Sequence, residues 1–136
     1  IMSDGNILVA GTITTNNSTN ICMTKVNSEK LKQKFWKNVI STPSNTFNTA
    51  LILDGNEIIV TGTHIISGNT SNIVLLKTMT DSLSTIINLN EYGLNGQLES
   101  TGFDITNDNG YVFTGSNINN DNSAVTLIKT RSDGNF

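Results

Sequence analysis

Short apolar runs alternate with turn-forming residues along the whole chain. Ile7-Leu8-Val9-Ala10, Ile58-Ile59-Val60, Ile73-Val74-Leu75-Leu76 and Tyr111-Val112-Phe113 are rich in β-branched and aromatic residues, which suit strands. No long stretch carries apolar residues at helical spacing. Asp4-Gly5, Asp54-Gly55 and Asn109-Gly110 fall between the runs. Gly, Asn and Asp tolerate the positive φ of tight hairpins, so these pairs predict antiparallel strand connections. Ile58, Ile59 and Val60 are apolar at neighbouring rather than alternating positions, which predicts a strand covered on both faces.

The pattern repeats itself. Asp4-Gly5-Asn6-Ile7-Leu8-Val9-Ala10-Gly11-Thr12 reads like residues 54–63, and both read like Asp108-Asn109-Gly110-Tyr111-Val112-Phe113-Thr114-Gly115-Ser116. A second block follows each: Ile21-Cys22-Met23-Thr24-Lys25-Val26, then Ile73-Val74-Leu75-Leu76-Lys77-Thr78, then Val125-Thr126-Leu127-Ile128-Lys129-Thr130. The lysines set the period at 52 residues (77 − 25 and 129 − 77), and the pairs Leu31/Leu83, Thr49/Thr101 and Leu51/Phe103 keep it. We divide the chain, read as one segment over 1–136, into repeats at about 1–45, 46–97 and 98–136. In the second repeat the expected strands are 47–53, 57–63, 73–78 and 83–89. A polar loop at 64–72 and a connector at 90–97 separate them, and the third repeat opens at 98–106. About four short antiparallel strands per repeat of this length is the signature of a β-propeller blade. A β-sandwich or another stacked β-array is the alternative. The fold expected is therefore all-β: three successive four-stranded antiparallel blades, the first and last incomplete.

Composition narrows the functional classes. Hydrophobic residues make up 36% of the 136 and charged residues only 14%, well below the usual quarter. Asn, Thr and Ser supply the polarity. The net charge is −3, and the densest basic group, Lys30, Lys32, Lys34 and Lys37, has the mostly even spacing of a solvated strand face. Nucleic-acid binding wants a broader basic footprint. One cysteine, Cys22, excludes an internal disulfide framework and a cysteine-based zinc site. No apolar run reaches the length of a membrane span. The chain opens inside a motif, so we expect an excerpt of a longer protein.

Residues 107–116 and 126–136 resemble a repeat found in tandem in secreted bacterial and archaeal proteins, with the approximate pattern S-x-DGGY-x-x-AG-S/T … LIKTD-x-x-GN-x-x-W. The third repeat fits well. The second keeps Asp54-Gly55 and Leu76-Lys77-Thr78 but lacks the Gly-Asn pair and the tryptophan. The first keeps Trp36 and shortens the turn at 27–30. The resemblance implies blades like those of WD40 and kelch propellers. It also implies a secreted or cell-surface bacterial protein, with a lipoprotein among the architectures. It implies little about activity, since propellers host many functions.

Candidate chemistry is sparse. His64, the single histidine, has no serine or cysteine motif beside it and reads as a loop histidine. Cys22 aligns with Val74 and Thr126 and reads as a half-buried thiol. Residues 104–110 carry oxygen ligands at alternate positions, but an EF-hand wants Gly at the sixth position and Glu at the twelfth, where Asn109 and Gly115 stand. The repeated lysine reads as architectural, its stem covering a blade face while the ammonium reaches water or a carboxylate. No catalytic residue, metal or cofactor is expected. The expected ligand-facing loops are 13–20, 64–72 and 117–123, with 41–45 and 90–97. Within them His64, Tyr92 and Asn119 are the candidate contact residues, and Glu91 lies beside Tyr92.

The expected function is a non-enzymatic scaffold or interaction domain that binds protein or glycan, with protein preferred because one aromatic is thin for sugar stacking. The alternative is the propeller portion of a larger glycan-active enzyme or surface lipoprotein whose chemistry lies outside this segment. Three blades cannot close a ring. Two open faces of about 400 Å² each, from strand rise and spacing, exceed the usual exposed apolar patch. The expected partners are therefore the remaining blades of a longer chain, copies of itself or another protein.

Overall fold

The computed structural model describes residues 1–2, 4–15, 18–27, 29, 33–38, 45–81, 86–94, 96–119 and 122–136, with side chains other than those at 15, 18, 20–21, 33–38 and 45–54. The described residues form ten strands and no helix: β1 (Ile7–Thr15), β2 (Ser18–Val26), β3 (Gln33–Asn38), β4 (Asn45–Asp54), β5 (Glu57–Ser67), β6 (Thr70–Met79), β7 (Ile86–Tyr92), β8 (Gln97–Ile105), β9 (Tyr111–Asn119) and β10 (Asn122–Thr130). The chain is all-β.

Each strand pairs antiparallel with the next within three meanders, β1-β2-β3, β4-β5-β6-β7 and β8-β9-β10. The second and third are not separate sheets. One parallel bridge, Ser71↔Gln97, joins β6 to β8, making a single seven-stranded mixed sheet. Ser71 N–H donates to Gly96 O at 3.3 Å and Ser71 Oγ to Leu98 O at 2.8 Å. The bridge stops there for a steric reason. From Ile73 onward β6 already has β5 on one side and β7 on the other, so β8 must leave the plane.

The repeat is visible in the register. Thr15↔Ser18, Ser67↔Thr70 and Asn119↔Asn122 close the three long hairpins at 52-residue intervals. The expected polar loops at 13–20, 64–72 and 117–123 are therefore mostly ladder. Backbone hydrogen bonds hold a strand whether or not its side chains are apolar, so Thr, Ser and Asn continue the hairpins past the core. The fourth strand of the second meander also lies later than expected, reaching Tyr92 rather than ending at 89.

Two apolar layers hold the meanders together. The first packs Met23, with Leu8 and Ala10, against Ile58, Val60, Val74 and Leu76. The second packs Ile59, Ile73, Leu75 and Tyr92 against Leu98, Tyr111, Phe113 and Ile128. Ile58 and Val60 thus face the first meander while Ile59 faces the third, all three at 0% exposure. The neighbouring apolar positions of β5 mark a strand buried on both faces, as expected from sequence.

The turns follow from local chemistry. At 2–6, 106–110 and 131–135 the first residue's N–H reaches the fifth residue's carbonyl at 2.7–2.9 Å. The fourth residue has positive φ (Gly5 76°, Asn109 59°, Gly134 81°). The middle aspartate of each turn accepts from the N–H two residues on: Asp4 from Asn6, Asp108 from Gly110 and Asp133 from Asn135. The second repeat departs. Its turn is Gly55-Asn56, between paired Asp54 and Glu57, with Gly55 at φ 58°. Glycine at the first central position fits a two-residue hairpin.

Glycine at 115 answers to packing. A Cβ there would strike the backbone oxygen of Glu99 on β8, whereas one at Gly11 meets nothing within 4 Å. Gly115→Ala is expected to cost about 1–3 kcal/mol, the usual range for overpacking. Gly11→Ala should stay within about 0.5 kcal/mol, as at unencumbered surface sites. Urea unfolding midpoints of the two variants test the contrast, and equal losses would contradict the packing described.

Candidate functional site

Three polar features meet near the hairpin-tip end of the second meander. His64 on β5, Asn72 on β6 and Glu91 on β7 form one cluster. His64 Nδ1 lies 3.1 and 3.2 Å from the two carboxylate oxygens of Glu91, and Asn72 Nδ2 donates to Glu91 Oε2 at 3.2 Å. The ladder places them, since His64 is paired with Asn72 across β5–β6. A histidine–carboxylate pair is two parts of a nucleophilic constellation, whose third part is a hydroxyl or thiol on the imidazole. Among the described residues no serine or cysteine is hydrogen-bonded to His64. The pair is a polar clamp across β5, β6 and β7.

Beside it, on the opposite face of the sheet, runs an open groove of about 240 Å³ lined by Thr63, Ser67, Thr70, Gln97, Glu99 and Ile118, among others. The parallel bridge creates it by setting the start of β8 against the β5–β6 hairpin. Gln97 Nε2 donates to Gly68 O at 2.9 Å and fixes the floor. Its hydroxyls, amide and single carboxylate offer both donors and acceptors.

Of the expected contact residues, His64 lies within β5 rather than in a loop, its side chain 21% exposed. Glu91 lies within β7, and sequence reasoning noticed it only as Tyr92's neighbour. Asn119 is exposed at the end of β9. The sequence reading placed Tyr92 in a ligand-facing loop, and this needs correction. Tyr92 is 4% exposed. Its hydroxyl donates to Gly134 O at 2.6 Å, and its ring packs on Phe113 and edge-on to Phe136 at 5.6 Å. Burial pushes its pKa up to about 12. The alternating side chains Asn88, Asn90 and Tyr92 of β7 all hold the 131–135 turn, through Asp133 O and Gly134 O. Side chains of the basic run at 30–37, including Phe35 and Trp36, and the expected loop at 41–44 lie outside the described residues.

The repeated lysine has a repeated partner. Lys25 meets Asp4 at 2.6 Å, Lys77 meets Glu57 at 2.6 Å and Lys129 meets Asp108. In the second repeat the shorter turn removes the aspartate, and Glu57 at the strand start takes its place. Lys77 also lies 5.9 Å from the Tyr111 ring centroid. Burial works against its charge, but hydrogen bonds to Glu57 and Tyr111 outweigh it, and its pKa is raised. Asp108 is committed to Lys129, Thr106 and Gly110. The run at 104–110 is accordingly a braced turn. Among the described residues no three His, Cys, Asp or Glu side chains are grouped to hold a metal ion. Cys22 is a free, half-buried thiol whose pKa burial raises. Among the described residues no helix is long and apolar enough to cross a membrane, which says nothing of a β-barrel.

Compared with known protein families, curated proteins and solved structures, the chain matches none.

Two outcomes follow from these bonds. Tyr92→Phe loses the bond to Gly134 O and should destabilise by about 0.5–1.5 kcal/mol, the usual net worth of a hydrogen bond. Calorimetry or urea titration would measure it, and an unchanged midpoint would remove Tyr92's hydroxyl from the account. The pH dependence concerns the turn aspartates. Hydrogen bonds from Lys25 to Asp4 and from Lys129 to Asp108 hold both carboxyls well below their ordinary 3.8. A depressed folded-state pKa gives stability that is complete above the unfolded value and is lost as pH falls through the folded one. Stability from these pairs should be level from pH 7 to about 5 and decline below about 4. Lys25→Met and Lys129→Met should each flatten that decline, measured by urea titration across pH.

Proposed function

We propose that this chain is a stretch of three successive β-propeller blades that serves as a non-enzymatic interaction scaffold, binding protein at its hairpin-tip end. The propeller reading is supported by the stacking: three antiparallel units lie face to face, and both apolar layers set the same kind of face of one unit against the same kind of face of the next. The corner bridge between the second and third units is compatible with it, because it spans one residue pair and β8 then departs from the plane of β6. The secreted or cell-surface location rests on the sequence resemblance alone.

The observation that carries the binding reading is the groove beside the β5–β6 tip. It is open, sets the exposed Ile65 and Ile118 among hydroxyls, an amide and one carboxylate, is braced from both meanders and is free of ionic commitments to the repeat's lysines. A protein surface, with its mixture of amides and carbonyls, fits such a lining better than a sugar does. The aromatic that would have stacked on a sugar, Tyr92, is buried under Phe136. A glycan-active enzyme needs a pair of carboxylates across a scissile bond, and among the lining residues Glu99 is the one carboxylate.

The test is a glycan array and a glycoside-hydrolysis screen on the purified chain, followed by capture of surface proteins from the source cells. We expect no turnover, no glycan signal and a captured protein that Gln97→Arg or Glu99→Lys releases while Arg131→Glu retains. Hydrolysis of any glycan, or capture indifferent to the groove substitutions, would overturn the reading.

A further inference from the structure

The groove beside the β5–β6 tip has a chemical bias that follows from the bonds its walls already make. Gln97 Nε2 donates to Gly68 O at 2.9 Å, and Ser71 Oγ donates to Leu98 O at 2.8 Å. What Gln97 keeps for the groove is Oε1, an acceptor. Glu99 adds a carboxylate, which accepts only when ionised. Among the described residues Glu99 forms no salt bridge, whereas Asp4, Glu57, Glu91 and Asp108 each do. Among the described residues no lysine, arginine or histidine lines the groove. Its unengaged groups are therefore mostly acceptors.

The β8–β9 ladder sets those acceptors beside apolar surface. Gln97 is paired with Ile118 and Glu99 with Ser116, so these side chains leave one face of the sheet. Gln97 and Glu99 are two residues apart on one strand, about 6.6 Å at the usual rise. Ile65 closes the other side from β5. It belongs to the middle meander, which has a neighbour on each face, and is still 43% exposed. Ile118 is its equivalent across the pairs Ile65↔Ser71 and Ile118↔Ser123, and is 45% exposed. The tips stand beyond the apolar layers in a covered unit and an uncovered one alike.

We infer that the groove takes an arginine side chain of the protein partner, its stem across Ile65 and Ile118 and its guanidinium on the Glu99 carboxylate and Gln97 Oε1. This names the anchor of the partner proposed above and rests on that reading. A space of about 240 Å³ is below the roughly 300–1,000 Å³ of small-molecule pockets and suits one long side chain. A leucine or methionine there would leave Glu99 and Gln97 Oε1 facing an apolar group, and a polar group covered without a partner is costly. A glutamate would meet Glu99 as a like charge. Lysine carries the charge on one compact ammonium. Arginine's planar fork matches a carboxylate bidentately and keeps donors for a second acceptor. Arginine is also enriched at protein interfaces, where lysine is depleted. The chain's net charge of −3 works in the same direction at longer range.

The test titrates the isotope-labelled chain with acetylated, amidated peptides Gly-Ser-X-Ser-Gly, X being arginine, citrulline, lysine or glutamate. Citrulline keeps the shape of arginine without its charge. The methyl resonances of Ile65 and Ile118 and the side-chain amide of Gln97 report on the groove. We expect saturable shifts there with the arginine peptide and binding about tenfold weaker with citrulline, because charged hydrogen bonds exceed neutral ones. The glutamate peptide should produce none. Glu99 is exposed, so Glu99→Gln should keep the circular dichroism while erasing the preference for arginine over citrulline. Glu99→Lys should turn the preference to the glutamate peptide. No saturable shift at those groups with the arginine peptide, or equal binding of arginine and citrulline, overturns the anchor. The protein-binding reading then stands on groove-dependent capture alone. A lysine peptide that binds more tightly than the arginine one overturns the choice of arginine. Capture indifferent to the groove substitutions, with the arginine preference intact, overturns the protein-binding reading instead.

Discussion

A sheet of three or four strands is one residue thick, so any apolar row on it must be covered by something outside it. That constraint governs this molecule. Ile58, Ile59 and Val60 leave β5 with no polar face over its middle, and Ile73 to Leu76 do the same to β6. The second meander can be stable only between two others. Full burial of each such side chain is worth about 1.5–3 kcal/mol. An exposed ion pair is worth about 0–1. The stack is therefore made by the two apolar layers, and the lysine–carboxylate pairs, regular as they are, trim its edges.

The pairs still report on the architecture. Lys25 on β2, Lys77 on β6 and Lys129 on β10 each stand near the end of their strand, beside a hairpin turn, where the apolar row gives way to solvent. A lysine there covers the last of the apolar surface with its stem and turns its ammonium towards the hairpin turn. The carboxylate that meets it changes with the turn. Three-residue loops supply an aspartate in the first and third repeats. The two-residue loop at Gly55-Asn56 leaves no such residue, and Glu57, with one more methylene, reaches Lys77 from the strand itself. What recurs is the meeting of charges at a fixed place, reached by different residues.

Much of the fold was legible because burial and turn chemistry leave marks on single residues. The apolar triplet in β5 announced two covered faces, and the 52-residue interval between lysines announced the register. Polar positions misled. Residues 64–72 looked like a loop because they are His, Ser, Gly, Asn and Thr among few apolar residues. Strand ladders are held by the backbone, however, and an exposed hairpin end needs no apolar side chain. Tyr92 misled in the opposite way: an aromatic among Asn, Glu and Gly looked exposed, but the turn at 131–135 and Phe136, far off in sequence, fold over it. The clamp between His64 and Glu91 was illegible for the same reason, since it depends on where β7 falls against β6.

The corner bridge between Ser71 and Gln97 links architecture to the candidate site. Had β8 begun clear of β6, the second and third meanders would be separate sheets and the β5–β6 hairpin would project into solvent alone. Because Ser71 bonds to both Gly96 O and Leu98 O, and Gln97 to Gly68 O, the start of β8 is tied to the hairpin tip before it turns away. The space left between the departing strand and the tip is the groove. Its walls belong to different repeats, so its chemistry is free to differ from that of the equivalent place between the first and second repeats. A repeated fold acquires a unique surface at the point where one copy is fastened to the next by something other than the repeated apolar layer.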